Sequence, residues 1–513
     1  MTKAAKEKSE KKSTSAKTIK STTKKAEEII KQAKKKIKST IDKISTENKI
    51  SEEEKLITEN MHALVQKQNE FFLTNQTKDI NWRETQLTNL YNAITSHEKE
   101  IFDALRSDLF KSPYESYLAE VQLVLKEIQY LKSHLSKFSK PEHVHLGITQ
   151  FPAHGKIYAE PYGIVLIMSP WNYPFLLTME PLVGAIAAGN CVVVKPSRYS
   201  YATSAVIEKI LKTIFNENYI ATVQGGHVQN TALLNQHFDY IFFTGSHEVG
   251  KIVMEKAAQH LTPVSLELGG KSPCIVDSNV DIKIAARRVV WGKFLNAGQT
   301  CIAPDYVLVD EKIKSEFIQA VKTEIKNQFG NTPLLNDEFC KIINEKHFQR
   351  LSALCPEAEK DAISNKIAPT VVELGSLGSE KVTDSSIMKE EIFGPLMPII
   401  SYSNIDSVIS YINSHNKPLA LYLFTKDKTV QNKIIKNVRY GGGCINDAIM
   451  QITSSKLPFG GVGESGMGSY HGKYSFRTFT HYKSVVKNNF LIDVKERYAP
   501  YGERLDFIKK ILH

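Results

Sequence analysis

Residues Gly163-Ile164-Val165-Leu166-Ile167-Met168 form an apolar run with no polar alternation. A strand with one wet face alternates apolar and polar residues, whereas an unbroken apolar run needs cover on both faces. Similar short runs follow at Cys191–Val194, Ala221–Val223, Tyr240–Phe243 and Val264–Leu266. Stretches of helical period separate them, at Thr178–Ala188, Ala202–Phe215, Val228–Leu234 and Val249–His260. That alternation predicts a parallel sheet with helices on both faces, whose ligands gather at the carboxyl ends of the strands.

A second alternation starts near Ser272. Its strands are Cys274–Val276, Tyr306–Val309, Thr370–Glu373, Pro398–Ser401 and Ala420–Phe424. Its helices are Asp281–Leu295, Ile313–Phe329, Ile405–Ser414 and Val430–Asn437. The expected fold is α/β, with two doubly wound parallel-sheet domains at 163–270 and 271–478, and a boundary at Leu268-Gly269-Gly270-Lys271. A chain of 513 residues is long enough to need more than one core. Residues 51–140 read as cover helices, with apolar residues repeating from Trp82 to Leu105 and from Tyr117 to Leu135. Residues 143–160, with Pro152 and Gly155, read as a hairpin.

The net charge of +11 is concentrated at the start: residues 1–50 carry 16 lysines against 6 acidic residues. Residues 1–25 are too poor in bulky apolar groups to offset ordering and are expected to be disordered. Ile30, Ile37, Ile41 and Ile44 suggest a marginal basic helix within 26–50. Contact with nucleic acid or an anionic surface is one reading of this tail, and a solvated solubilising tail is the other. The tail contains no arginine and has no apolar core segment, which excludes a transit or secretory signal. No run of 18 apolar residues occurs, so no transmembrane helix is expected. Six scattered cysteines, none in a CxxC pair, predict neither a disulfide framework nor a metal site. They fit a reducing, cytoplasmic setting.

Five short segments carry chemistry. Cys301 ends the turn Asn296-Ala297-Gly298-Gln299-Thr300-Cys301, between a helix and a strand, where a thiolate can reach a cleft. Asn172, after the first strand, offers an amide donor. Lys195-Pro196-Ser197-Arg198 follows the second strand. Thr244-Gly245-Ser246 opens a helix containing Gly250, an arrangement that suits a pyrophosphate although it is not GxGxxG. Glu267 places a carboxylate at the domain boundary. Each alone has an ordinary alternative: a packed cysteine, a turn asparagine, a helix N-cap, a solvated acid.

Together they carry more. Pro-Trp-Asn-Tyr-Pro-Phe (170–175), Val-Val-Lys-Pro-Ser (193–197), Phe-Thr-Gly-Ser (243–246), Leu-Glu-Leu-Gly-Gly-Lys-Ser-Pro (266–273) and Gly-Gln-Thr-Cys (298–301) occur in order. Glu-Glu-Ile-Phe-Gly-Pro (390–395) and Pro-Phe-Gly-Gly-Val-Gly-Glu-Ser-Gly-Met-Gly-Ser-Tyr-His-Gly-Lys (458–473) complete the set. With these the chain resembles the aldehyde dehydrogenase superfamily, in its class 3 branch of fatty and aromatic aldehyde dehydrogenases, from about residue 68 to the end.

The resemblance implies NAD(P)-dependent oxidation of an aldehyde to the acid. Cys301 would be the nucleophile, Asn172 the oxyanion donor and Glu267 the base, with Glu391 as a back-up base. Lys195, Ser197, Gly245, Ser246, Gly250, Glu391 and Phe393 would hold the cofactor. Tyr173, Leu177 and His471 would line the substrate pocket. It also implies a homodimer, with 141–162 and 479–490 as a small β oligomerisation element, and leaves 491–513 as a C-terminal tail too charged to span a bilayer. One departure concerns the cofactor: many relatives have Glu after Lys-Pro-Ser, where this chain has Arg198, so use of NADP is expected. The competing readings are a non-catalytic protein on the same fold, an enzyme tethered by its tail, and a cysteine hydrolase; the last lacks a histidine near Cys301.

Overall fold

The computed structural model describes residues 31–32, 34–36, 38 and 52–512, in two compact units, 1–62 and 63–513. In the first unit, 31–32, 34–36, 38 and 52–62 are helical. The expected disorder of 1–25 lies outside the described residues, as does most of the basic helix.

In the second unit the cover includes the helices α1 (Ile80–Ser96), α2 (Glu98–Leu109) and α3 (Gln122–Ser139). The apolar repeat from Trp82 to Leu105 is therefore two helices, broken at His97, which leaves the helical region at φ −106°, ψ 13°. Leu87, Leu90 and Ile94 on α1 and Val124, Leu131 and Leu135 on α3 are fully buried, as helical spacing dictates. Between α2 and α3 a π-turn at Tyr117–Val121 buries Glu120.

Strands β1 (Glu142–Val144) and β2 (His154–Pro161) pair antiparallel, as expected for the hairpin. The first parallel set is β3 (Ile164–Met168), β4 (Cys191–Lys195), β5 (Ile220–Thr222), β6 (Tyr240–Thr244) and β7 (Val264–Glu267). Helices α4 (Leu176–Ala188), α5 (Tyr201–Ile214), α6 (His227–Leu234) and α7 (His247–Ala258) connect them. The second set is β8 (Pro273–Val276), β9 (Tyr306–Asp310), β10 (Thr370–Ser376), β11 (Leu396–Tyr402), β12 (Ala420–Phe424) and β13 (Gly442–Ile445), in the order β10-β11-β9-β8-β12-β13. Its helices are α8 (Ile282–Phe294), α9 (Lys314–Phe329), α10 (Glu345–Leu354), α11 (Ile405–Asn413) and α12 (Lys428–Asn437). Every residue of β3, β4, β6, β8, β9, β11 and β12 is buried, which is why these strands read as unbroken apolar runs.

The chain then crosses back. The short strand β14 (Gly466–Met467) pairs antiparallel with β7, so the first sheet runs β14-β7-β6-β3-β4-β5. The span 271–478 therefore does not all belong to the second sheet. Strand β15 (Thr480–Lys487) pairs with β2 to complete a three-stranded sheet. The C-terminal stretch ends in the helix α13 (Leu505–Leu512). Among the described residues no helix is long and apolar enough to cross a membrane.

Candidate active site

Helix α8 stops at Phe294 and the chain turns through Leu295–Gly298. Asn296 and Ala297 both take φ 52°, a left-handed conformation that side chains resist. Gly298 follows at φ 72°, and a Cβ there would stand 2.3 Å from the Gly394 carbonyl oxygen, so only glycine fits. Gln299 pins the turn: its Nε2 donates to the Asn296 and Lys341 carbonyls at 3.0 Å, and its Oε1 accepts from the Ile343 N–H. Cys301 emerges half-buried from this strained turn.

Cys301, Asn172, Glu267, Glu391 and Phe393 line one cavity of about 800 Å³. Asn172 is buried, and its Nδ2 donates to the Gln299 carbonyl at 3.0 Å, so its amide is held beside the cysteine turn. Glu267 is 3% exposed, and neither of its carboxylate oxygens has a hydrogen-bond partner. Burial alone pushes its pKa well above the usual carboxylate range, which favours the protonated form. Burial also raises Glu391, to about 8, with help from Asp305; the Gly270 N–H and Lys271 oppose the rise. Gly269 has no side chain where the Glu391 carboxylate packs, since a Cβ there would lie 2.0 Å from Oε2. The Cys301 thiol is pushed up by burial first, then by Glu391, then by Glu267, while its own N–H and that of Ile302 favour the thiolate.

The carboxyl ends of β4, β6 and β7 open on the same cavity through Ser197, Thr244, Gly245, Ser246 and Gly269. Ser246 caps α7, so the helix N-terminus faces this end. The Thr244 hydroxyl is buried without a partner, and Gly245 leaves room beside the Phe243 ring, 2.5 Å from where a Cβ would be. Apolar walls, a helix N-terminus and an unpartnered hydroxyl fit a dinucleotide.

Several predicted residues stand behind the lining instead. Gly250 packs on Leu268, where a Cβ would lie 2.7 Å from Cδ2. Lys195 is buried, its ammonium donating to the Gly225 and Pro196 carbonyls at 2.7 and 2.8 Å; burial, then Arg198, pushes its pKa down to about 8. Arg198 is exposed beside Tyr199, although its neighbours Ser197 and Tyr199 both line the cavity. His471 is the clear correction. It does not line the cavity but is 1% exposed, stacked on Phe459 with centroids 5.4 Å apart and 3.4 Å from the Glu180 carboxylate. Its backbone φ is 80°, and its neighbours Tyr470 and Phe459 line the cavity in its place. Tyr173 and Leu177 do line the cavity, and the Tyr173 hydroxyl is 2.7 Å from Thr300 Oγ1.

Sequence reasoning missed α10, which brings Lys346, His347 and Arg350 to the wall, with His347 5.0 Å from the Trp171 ring. It also missed Ile449–Thr453. Positive φ at Phe393 (48°) and Ile449 (65°), like that at Asn296 and Ala297, gathers around this cavity, but such strain has no mark in the residue types.

The chain matches the aldehyde dehydrogenase family over residues 29–485, a span that begins inside the Lys-rich segment. A Staphylococcus aureus protein named 4,4'-diaponeurosporen-aldehyde dehydrogenase is 43% identical over 447 residues, covering 86% of this chain and 96% of its own length. A dog protein named aldehyde dehydrogenase, dimeric NADP-preferring, is 41% identical over 446 residues, covering 85% and 97%. The solved substrate-bound state of Staphylococcus aureus AldH superposes with a TM-score of 0.85 at 42% identity, over 88% of this chain and 99% of that one. A match of that span, on relatives covered almost end to end, means that the chain belongs to the aldehyde dehydrogenase family.

Proposed function

We propose that this enzyme, an oxidoreductase converting aldehydes to carboxylic acids with NAD(P), works through Cys301, Asn172 and Glu267. The supporting observation is that these three residues, from separate segments, line one cavity. The Cys301 thiol gives its proton to solvent, and the thiolate sulfur adds to the carbonyl carbon as the C=O π bond opens. The Asn172 amide and the Cys301 N–H stabilise the resulting alkoxide. A bound NAD(P) would supply the hydride acceptor by which this thiohemiacetal on Cys301 becomes a thioester. Glu267, once ionised, takes a proton from the water that attacks the thioester; the acid departs and the cysteine is regenerated. Ser197, Thr244, Gly245, Ser246, Glu391 and Phe393 would hold the cofactor. Glu391 has a claim on the base role, because its side chain lines the same cavity as Cys301 and Glu267. A non-catalytic reading is not favoured.

The finer assignments rest on chemistry at the rim. Leu118, Leu123, Leu177, Ile452 and Phe459 give the cavity an apolar wall suited to medium- or long-chain aliphatic or aromatic aldehydes. Arg198 favours NADP, as its guanidinium can pair with a 2′-phosphate but cannot accept a ribose hydrogen bond. The β1–β2–β15 sheet, whose outer strands β1 and β15 are exposed, suits a homodimer, and the dog relative is called dimeric. The six free cysteines fit the cytoplasm. The Lys-rich tail suits an acidic surface or nucleic acid if it tethers at all.

Cys301→Ala should abolish turnover and leave NADP binding within a few-fold. Glu267→Gln should give a burst of reduced cofactor followed by slow turnover. If Glu391→Gln shows the burst and Glu267→Gln does not, the two carboxylates exchange roles.

A further inference from the structure

Lys111 and Glu120 form an ion pair with both side chains wholly buried, 0% exposed, and the mechanism above leaves the pair unused. Lys111 lies just after α2, and Glu120 lies in the π-turn before α3. Besides its bond to Glu120, the Lys111 ammonium donates to the Asn172 backbone carbonyl at 3.1 Å and sits 4.0 Å from the Tyr173 ring centroid. The other oxygen of Glu120 accepts from the Phe175 N–H at 2.8 Å and the Leu176 N–H at 3.2 Å, where α4 begins. The pair thus holds residues 172–176 at both ends.

The same Asn172 carbonyl accepts a second bond, from Asn296 Nδ2 at 2.7 Å. Asn296 belongs to the strained turn that presents Cys301, and its N–H donates to the half-buried Glu115 at 2.9 Å. One carbonyl therefore joins the cysteine turn to the Lys111 ammonium. Burying two charges costs several kcal/mol per ion unless the geometry is favourable, and an apolar pair of similar volume often packs as well or better. Hydrophobic packing therefore gives no reason for charge here, whereas the convergence of both groups on one catalytic segment does.

We propose that Lys111 and Glu120 are a positioning pair that fixes the Asn172 amide relative to the Cys301 sulfur for oxyanion stabilisation. This rests on the role of Asn172 proposed above. The two ideas separate in a double-mutant cycle on the full chain with bound NADP, following the rate of reduced-cofactor formation in the first turnover. Lys111→Met should slow that step by about tenfold, a fraction of the loss expected for removing an oxyanion donor outright. KM and cofactor affinity should stay within about threefold, because the substituted residue touches neither ligand. In an Asn172→Ala background the same substitution should slow the step by less than about twofold.

Equal slowing in both backgrounds would overturn the positioning role and leave a general structural one. A neutral Asn172→Ala would instead sink the oxyanion reading, and the pair's role with it. Should Lys111→Met not fold, Lys111→Met/Glu120→Leu, which removes both charges, goes through the same cycle with the same two outcomes.

Discussion

Glu267 keeps two partnerless oxygens at 3% exposure, and that has a stability consequence apart from catalysis. Its folded pKa is raised by burial, so between the ordinary carboxylate value and the folded value the native state holds a proton that the unfolded chain has released. Stability then falls as pH rises through that window, by at most about 1.4 kcal/mol per pH unit. Glu267→Gln should therefore melt at a higher temperature than wild type at pH 7, with the difference closing below about pH 4.3. A variant that melts lower at pH 7 would contradict the raised pKa of Glu267. Arg198 carries a prediction of its own. Arg198→Glu should move the NADP/NAD ratio of kcat/KM toward NAD by about tenfold; an unmoved ratio removes Arg198 from cofactor selection.

The decisive element is the turn after α8. Its geometry depends on Gly298, whose φ of 72° and 2.3 Å clearance to the Gly394 carbonyl admit no side chain. Gly298→Ala should destabilise by about 1–3 kcal/mol through overpacking and cut turnover, because the displaced backbone carries Cys301. Thermal melting together with kcat reads both, and a variant with unchanged melting and turnover would mean that the turn yields freely. The same element shows where periodicity fails. Asp281–Leu295 was legible as a helix because Ala285, Ala286, Val289 and Val290 recur at helical spacing and are buried. The left-handed residues that follow it are Asn and Ala, and Ala gives no sign of φ 52°.

At the scale of the whole molecule, the three-stranded sheet leaves a surface uncovered. Every residue of β15 after Thr480 is exposed, including Tyr482, Val485 and Val486, and β1 is exposed throughout. If this sheet is the dimer contact, Val486→Asp should yield a monomer by sedimentation, because a charge facing an apolar partner surface costs more than the contact regains. A wild-type protein that sediments as a monomer, or a variant that stays dimeric, would exclude this sheet as the contact.

Local pattern by itself determined the two parallel sheets, since strands covered on both faces must be apolar throughout, and it determined the order of the chemistry-bearing segments. It could not see that β14 returns to the first sheet, because two residues carry no period. It grouped Asn172, Cys301 and Glu267 only by resemblance; the fold decides their shared cavity by bringing together strand ends far apart in the chain. The resemblance put His471 in the pocket, whereas in the fold the ring is buried against Phe459 and Glu180. It gave no hint of the Lys111–Glu120 pair, because a lysine nine residues before a glutamate looks solvated until the surrounding helices exclude water. Spacing sets which faces are apolar, and only tertiary contact sets which polar groups lose water and which partners they then require.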